Sequence, residues 1–400
     1  MKKAILIVVA VPVVAWLALF AVAARMQRSV AARPWPNGLG GLDAVPARYP
    51  ERAAATSAAL ALTKMTVPLG VDIAPREDRV VRTPPSRKDF DAIKKPLHDY
   101  IDAQLVRPST AIDDAPPAVA AYLDVHRPQL DAVRAHILSG APIAWTVQLR
   151  RGIDMPIPNL LGHLELARLF VADALVKARR GDASAWGDLH AIWQLDAGLR
   201  PRPDLISQLI ALASTRMANA AAAKLPLPEP AWLSEVRAFD YRRSIVASMQ
   251  SEASSWLRLP DDGGVRGFIA RPYVRVSAAD AAEHMRAAFV GMAGSNACDV
   301  DEEALMQAVK RSIPKWNLLA NIGIPNISTL WQRTMRVTPE LELTEKVLQL
   351  RRGETPSASS RCSDGQWVVT PASVKFSRTL RAPKTGLNYP LEFAALDLGH

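Results

Sequence analysis

Residues 159–182 read NLLGHLELARLFVADALVKARRGD, and this stretch decides the fold. Asn159 follows Pro158 and is a side-chain cap for a helix running from Leu160 to Arg179. Leu161, Leu164, Leu169, Phe170, Val171 and Leu175 leave that helix apolar nearly all round, so it must be buried on several sides. Gly181-Asp182 stops it and restarts the chain.

Three more helices follow in quick succession. Trp186, Leu189, Ile192, Trp193 and Leu199 stripe the next, and Pro201 and Pro203 break it. Leu205, Ile206, Leu209, Ile210, Ala213, Met217 and Ala220 stripe the third, closed by Pro226, Pro228 and Pro230. Trp232, Val236, Phe239, Val246 and Met249 predict a fourth that ends near Leu257. Helices joined by such short turns pack antiparallel to their neighbours. The Ala178–Ala183 junction has a tetratricopeptide-like turn, but no 34-residue period continues from it. The expectation is a mostly α protein, an irregular antiparallel array of helical hairpins.

Working outward, Phe90, Ile93, Leu97 and Ile101 have helical spacing interrupted by Pro96. Ala118 to Leu138 reads as one helix or as two divided near Pro128, and 143–149 as a short extended link. After the array, 259–272 reads as a loop, 277–291 and 299–311 as helices, and Pro339 as the first residue of a last helix capped by Thr338. Gln366–Thr370 and Ser373–Phe376 have strand composition, predicting a small β cap. The segments are therefore 1–28, an apolar anchor; 29–87, a proline- and alanine-rich spacer; 88–352, the helical body of about ten helices; and 353–400, the cap.

Lys2 and Lys3 precede an unbroken apolar run from Ala4 to Ala24, and Arg25, Arg28 and Arg33 follow it. That run is long enough to cross a bilayer core, which makes the cytoplasmic membrane the first expected partner. The leading lysines favour a cytoplasmic N-terminus, with the body in the periplasm or another extracytoplasmic space. Ala21-Val22-Ala23 also fits a cleavage site near Ala23, which would release the body. The length of the run and its abrupt end on arginine favour an uncleaved signal anchor in a bacterial inner membrane.

The formal charge is +10, but the first 33 residues hold five basic and no acidic side chains. The rest has 44 basic against 39 acidic residues, a net of +5. Its arginines, including Arg150/Arg151, Arg179/Arg180 and Arg242/Arg243, are spread out, as on a solvated surface. Nucleic acid is disfavoured by the compartment; an envelope protein, a peptide or a lipid head group fits better. Cys298 and Cys362 have polar, turn-like flanks, which in an oxidising compartment favours a disulfide closing a loop of roughly 65 residues.

No His-Glu-x-x-His, Gly-x-Ser-x-Gly, phosphate loop, dinucleotide fingerprint or paired-cysteine metal site is present, so neither a metal nor a cofactor is expected. Ser312-Ile-Pro-Lys315 matches the spacing of a serine–lysine nucleophile, with Pro314 inside the turn that the chemistry needs. The histidines are scattered, and His163 and Glu165 face different sides of their helix. Asn159 and His163 form the polar pair of greatest interest. They read either as a partner contact at a groove mouth or, with more weight, as a cap and a first-turn residue bonded to the preceding loop. Trp186, Trp193, Trp232 and Trp256 fit core packing better than a binding groove.

Three stretches carry a resemblance: 156–163, 204–210 and 317–325 with the helix that follows. Through them, the chain from Pro117 to Arg352 resembles a loose group of bacterial, membrane-anchored or exported helical proteins to which no activity is attached. The resemblance implies the helical body and carries no mechanism. The leading expectation is a non-enzymatic binding or scaffolding protein of the cell envelope; the rival is an envelope hydrolase whose site is assembled only in three dimensions.

Overall fold

The computed structural model describes residues 2–75, 85–258, 265–324, 327–383 and 388–394. Among them are fifteen α-helices and one small antiparallel sheet. The helices are α1 (Lys2–Ala32), α2 (Val45–Arg48), α3 (Ser57–Thr66), α4 (Pro85–Leu105), α5 (Pro117–Val125), α6 (Arg127–Leu138), α7 (Leu160–Arg179), α8 (Ala185–Asp196), α9 (Leu205–Ala222) and α10 (Leu233–Ala238). They continue as α11 (Tyr241–Leu257), α12 (Val265–Ala293), α13 (Glu302–Ser312), α14 (Leu318–Gly323) and α15 (Ile327–Arg351). The strands β1 (Trp367–Thr370), β2 (Ser373–Phe376) and β3 (Glu392–Phe393) lie in chain order, with Trp367 opposite Phe376 and Val374 opposite Phe393.

α7 is the central post, with Leu166, Leu169, Phe170, Val171 and Leu175 fully buried; Leu161 alone of its expected core leucines faces outward. Asn159 Oδ1 accepts from the Gly162 amide at 3.2 Å and caps the helix. Polar residues on its far end meet α6 and α8. There the buried Asp173 and Asp188 share Lys177, whose Nζ is 2.6 and 2.7 Å from them, while Arg127 bonds Asp173 and Arg134 bonds Asp188. Two buried carboxylates survive there because three cations surround them.

The core has two parts, one nested in the other along the chain. The first is built mainly from residues 58–241, from α3 through α9 to Tyr241. The second joins Val30, Trp35, Leu39, Leu42 and Val45 to α11, α12, α15 and the sheet.

Several expectations change. The predicted fourth helix of the array is two, α10 and α11, because Phe239 is extended and Asp240 caps a new start by accepting from the Arg243 amide. Of the two readings of 118–138, the divided one holds, with the break at His126. Of the stretch read as a 259–272 loop, residues 265–272 belong to α12, and 259–264 lie outside the described residues. Pro339 lies inside α15 rather than opening a helix. It removes one amide donor from a helix that is buried on most sides, where packing outweighs that loss. The 29–87 spacer is not loosely held through 35–75, because Trp35, Leu42, Leu62, Leu69 and Ile73 are buried in the two cores; 76–84 lie outside the described residues. The 143–149 link pairs antiparallel with the chain at Val147 and Arg52, but its last residue, Leu149, opens a 3-10 helix to Asp154.

Cys298 and Cys362 are joined, 64 residues apart in sequence and 5.4 Å apart at Cα. Asp364 braces the junction, its carboxylate accepting from the Cys298 and Asp299 amides at 3.0 and 2.8 Å.

Two stability predictions follow from this packing. A Cβ at Gly162 would stand 1.8 Å from the Asp72 carbonyl oxygen. Gly162→Ala is therefore expected to cost about 1–3 kcal/mol in chemical denaturation despite its better helix propensity. Removing the disulfide by Cys298→Ser with Cys362→Ser is expected to cost about 2–4 kcal/mol. Unchanged midpoints with and without reductant would refute that.

Candidate functional site

Asn159 and His163 occupy structural positions. The Asn159 side chain donates to the Asp72 carbonyl at 2.6 Å, and its amide donates to the Ile73 and Ala74 carbonyls at 3.2 and 3.1 Å. His163 is fully buried, and its Nδ1 donates to the Asn159 carbonyl at 3.0 Å. The imidazole packs edge-on against Trp145, ring centroids 5.3 Å apart. His163 Nε2 and Trp145 Nε1 are both buried without a hydrogen-bond partner among the described residues. The pair thus locks the 72–74 and 142–148 segments onto α7, and the imidazole has no face at the surface. Burial, with Arg202 nearby, lowers the His163 pKa to about 4, against the opposing Asn159 hydrogen bond.

The other sequence candidates are dispersed. Glu165 points away from His163 and meets His98 at 2.8 Å and Lys94 at 2.9 Å on α4. His190 stacks on Trp232, and Trp186 meets Trp232 edge-on. Trp186 and Trp193 are core residues, while Trp232 and Trp256 pack at core edges. Ser312 Oγ donates to the Val309 carbonyl, and the extended Ile313 ends α13, so Lys315 is not one helical turn beyond the serine. His400 lies outside the described residues. Cys298, Cys362 and Asp364 are close enough together to suggest metal ligation, but the two sulfurs are bonded to each other and offer no thiolate.

A site that no motif marked lies beside that disulfide. A cavity of about 290 Å³ opens between the α10–α11 junction, the 296–298 turn and α15. Arg237, Arg242 and Arg361 line it, together with Asp240, Asn296, Thr338 and the Cys298 wall. The volume is near the lower end of small-molecule sites, roughly 300–1,000 Å³.

Each arginine is held differently. Arg237 donates to Glu229 at 3.2 Å, and Glu229 also meets Arg352 at 3.0 Å. Arg361 pairs with Glu342 at 3.0 Å, and Glu342 is itself held by Ser360 and the Trp367 indole. Arg242 has neutral partners alone, the Asn296 side-chain oxygen at 2.8 Å and the Ser295 carbonyl at 3.3 Å. Its charge is not balanced by any carboxylate among the described residues, and a guanidinium carries five donors.

The acceptors in the lining are few. Asp240 Oδ1 is spent on capping α11. The Tyr241 hydroxyl donates to the Val236 carbonyl at 3.1 Å, and burial pushes its pKa upward. Behind Tyr241, Asp196 is fully buried near Arg200, and burial holds its pKa well above the usual carboxylate range. The charged lining is thus three arginines and one acidic residue, Asp240, of which Oδ1 serves the cap.

Arg242 was visible in the sequence as half of an arginine pair, and Arg361 as the neighbour of a cysteine. Only the disulfide and the 240 break bring them to one wall. Comparison with protein-family models, with curated proteins and with solved structures finds no match for this chain.

The His163 burial has a measurable consequence. Its unfolded-state pKa is near 6.5, so the unfolded chain binds the extra proton first as pH falls, and stability drops between about pH 6.5 and pH 4. The difference in unfolding free energy between wild type and His163→Gln is expected to shift against wild type by up to roughly 3 kcal/mol across that window. A pH-independent difference would refute the assignment.

Proposed function

We propose that the protein is a non-enzymatic binding protein of the bacterial cell envelope, held by α1 in the inner membrane, that receives an oxyanion-bearing ligand in the Arg237–Arg242–Arg361 cavity. One observation carries this reading: Arg237, Arg242 and Arg361 line a cavity of about 290 Å³, and the hydrogen bonds of Arg242 go to neutral acceptors among the described residues. Planar guanidinium donors suit carboxylate and phosphate, and charge-assisted bonds to them are the stronger kind.

The anchor half of the reading is supported by α1, in which Val13–Ala32 is long and apolar enough to cross a membrane. The lysines at its start and the absence of acidic residues before Asp43 support a cytoplasmic N-terminus and an extracytoplasmic body. An oxidising compartment also agrees with the Cys298–Cys362 bridge. As partners, the cavity favours an acidic peptide, a free oxyanion or a phosphorylated head group over an apolar protein surface.

The test is calorimetric titration of the full chain in detergent with inorganic phosphate and with glutarate. Arg242→Ala is expected to weaken binding about ten- to a hundredfold, the worth of one or two charge-assisted hydrogen bonds. Its partners are exposed, so the fold is expected to persist. Equal affinity in the variant, or no binding of either anion by wild type, would refute the proposal.

A further inference from the structure

α12 does not pack on α1 at random: the two helices run in the same direction. Trp16 stacks on Phe268 with ring centroids 4.6 Å apart, the Arg275 guanidinium lies 4.7 Å from the Phe20 ring, and Arg33 meets Glu283 at 2.8 Å. Arg286 reaches the Pro34 carbonyl one step later. The first turns of α12 therefore stand beside the apolar run of α1. Phe268 is level with Trp16, eight residues before Ala24, or roughly 12 Å along the helix.

That end of α12 is exposed and apolar. Phe268 is 52 % exposed, Ile269 64 % and Tyr273 43 %. α14 continues the surface. The Tyr273 hydroxyl donates to the Trp316 carbonyl at 2.7 Å, and the two rings meet edge-on. Asn317 donates to the Ser277 carbonyl at 2.9 Å and to Asp280 at 2.7 Å, which fixes α14 on α12. Leu318 and Ile322, one turn apart, are 61 % and 77 % exposed, and Trp316 is also open. Lys310, Arg311 and Lys315 flank them, all exposed.

We infer that this surface, the first turns of α12 together with the 315–322 segment, rests in the outer head-group layer of the bilayer that α1 crosses. The inference rests on the anchor reading of α1 but not on the arginine cavity. Three observations select a lipid surface as the occupant. The patch is continuous with the apolar face of α1 through the Trp16–Phe268 stack. Its rings (Trp16, Phe20, Phe268, Tyr273 and Trp316) are the types that collect at the membrane–water boundary. Its rim is basic, which suits anionic head groups.

The arginines also set the depth. Arg271 and Arg275 lie over the Phe268 and Phe20 rings, and guanidinium groups stay at the level of phosphates rather than in hydrocarbon. The membrane boundary on α1 then runs near Phe20 rather than at Arg25, so the span is the earlier part of α1 and the Val13–Ala32 stretch enters the bilayer only over its first residues. The span from Ala4 to Phe20 is about 25 Å, at the short end of what a bilayer core accepts.

The test uses the full chain reconstituted into phosphatidylcholine–phosphatidylglycerol vesicles, with an environment-sensitive label on one introduced cysteine at a time: Ile269→Cys, Ile322→Cys, Leu17→Cys, and the distant, exposed Val125→Cys. Lipids carrying a nitroxide near the head group are the quencher. Labels at 269 and 322 are expected to be quenched at least twofold more than the label at 125, with the label at 17 quenched as well. Quenching at 17 without quenching at 269 and 322 would overturn this inference and leave the anchor standing. No quenching at 17 would overturn both. Shielding of the 322 label that follows protein concentration and ignores the nitroxide lipid would assign the surface to a second copy of the chain, and so overturn the inference.

Discussion

A buried ion pair between Arg216 on α9 and Glu340 on α15 holds the two cores in register. The guanidinium and carboxylate meet at 2.7 and 2.6 Å, both side chains are buried, and Asn219 donates to the Glu340 carbonyl at 2.9 Å. Thr344 closes the next turn on the Asn219 carbonyl, and Arg336 reaches from the turn before toward Glu340 and the Tyr389 carbonyl. Greasy helices slide past each other with little penalty; a bidentate charge pair sealed from water does not, because any shift strands a charge. α15 carries Met335, Thr338 and Leu341 into the arginine cavity and supports the sheet from below. The position of that cavity therefore depends on where α9 meets Glu340.

The fold was largely legible because its signals are local. Apolar periodicity, proline breaks and the Asn159 side chain are read within a few residues, and they placed most of the array and the β cap, while the cap at Asp240 that divides its fourth helix went unread. The errors arose where tertiary packing outweighs local preference. Pro339 reads as a helix start, yet Val337, Leu341 and Leu348 bury the turns on either side of it and carry the helix straight through. The 35–75 stretch, poor in large apolar groups for its length, reads as a tether. Most of its large side chains are nonetheless buried, Leu60 and Val67 excepted: Trp35 faces Phe289, and Gln250 is bonded to the Gly40 and Gly41 carbonyls.

The arginine cavity was not legible for a different reason. No fixed spacing links 237, 242 and 361, since the last arrives through a disulfide and the first two straddle a helix break. The Asn159–His163 pair was conspicuous because polar residues at the start of an apolar helix stand out in any sequence, and capping is the commonest reason for them. A residue that stands out locally has usually been placed there by local demands, whereas a binding wall gathers residues that are individually ordinary.

The nesting of the two cores bears on the order in which the chain can fold. Residues 58–241 supply most of one core and reach their partners soon after synthesis. Trp35, Leu39 and Leu42 must wait: Arg48 finds Gln250 across 202 residues, and the Gln250 amide finds Gly40 across 210. Such high contact order makes closure of the second core the slow step. A segment made before the nested core is thus expected to settle after it, its indole and leucines uncovered until α11 and α12 arrive.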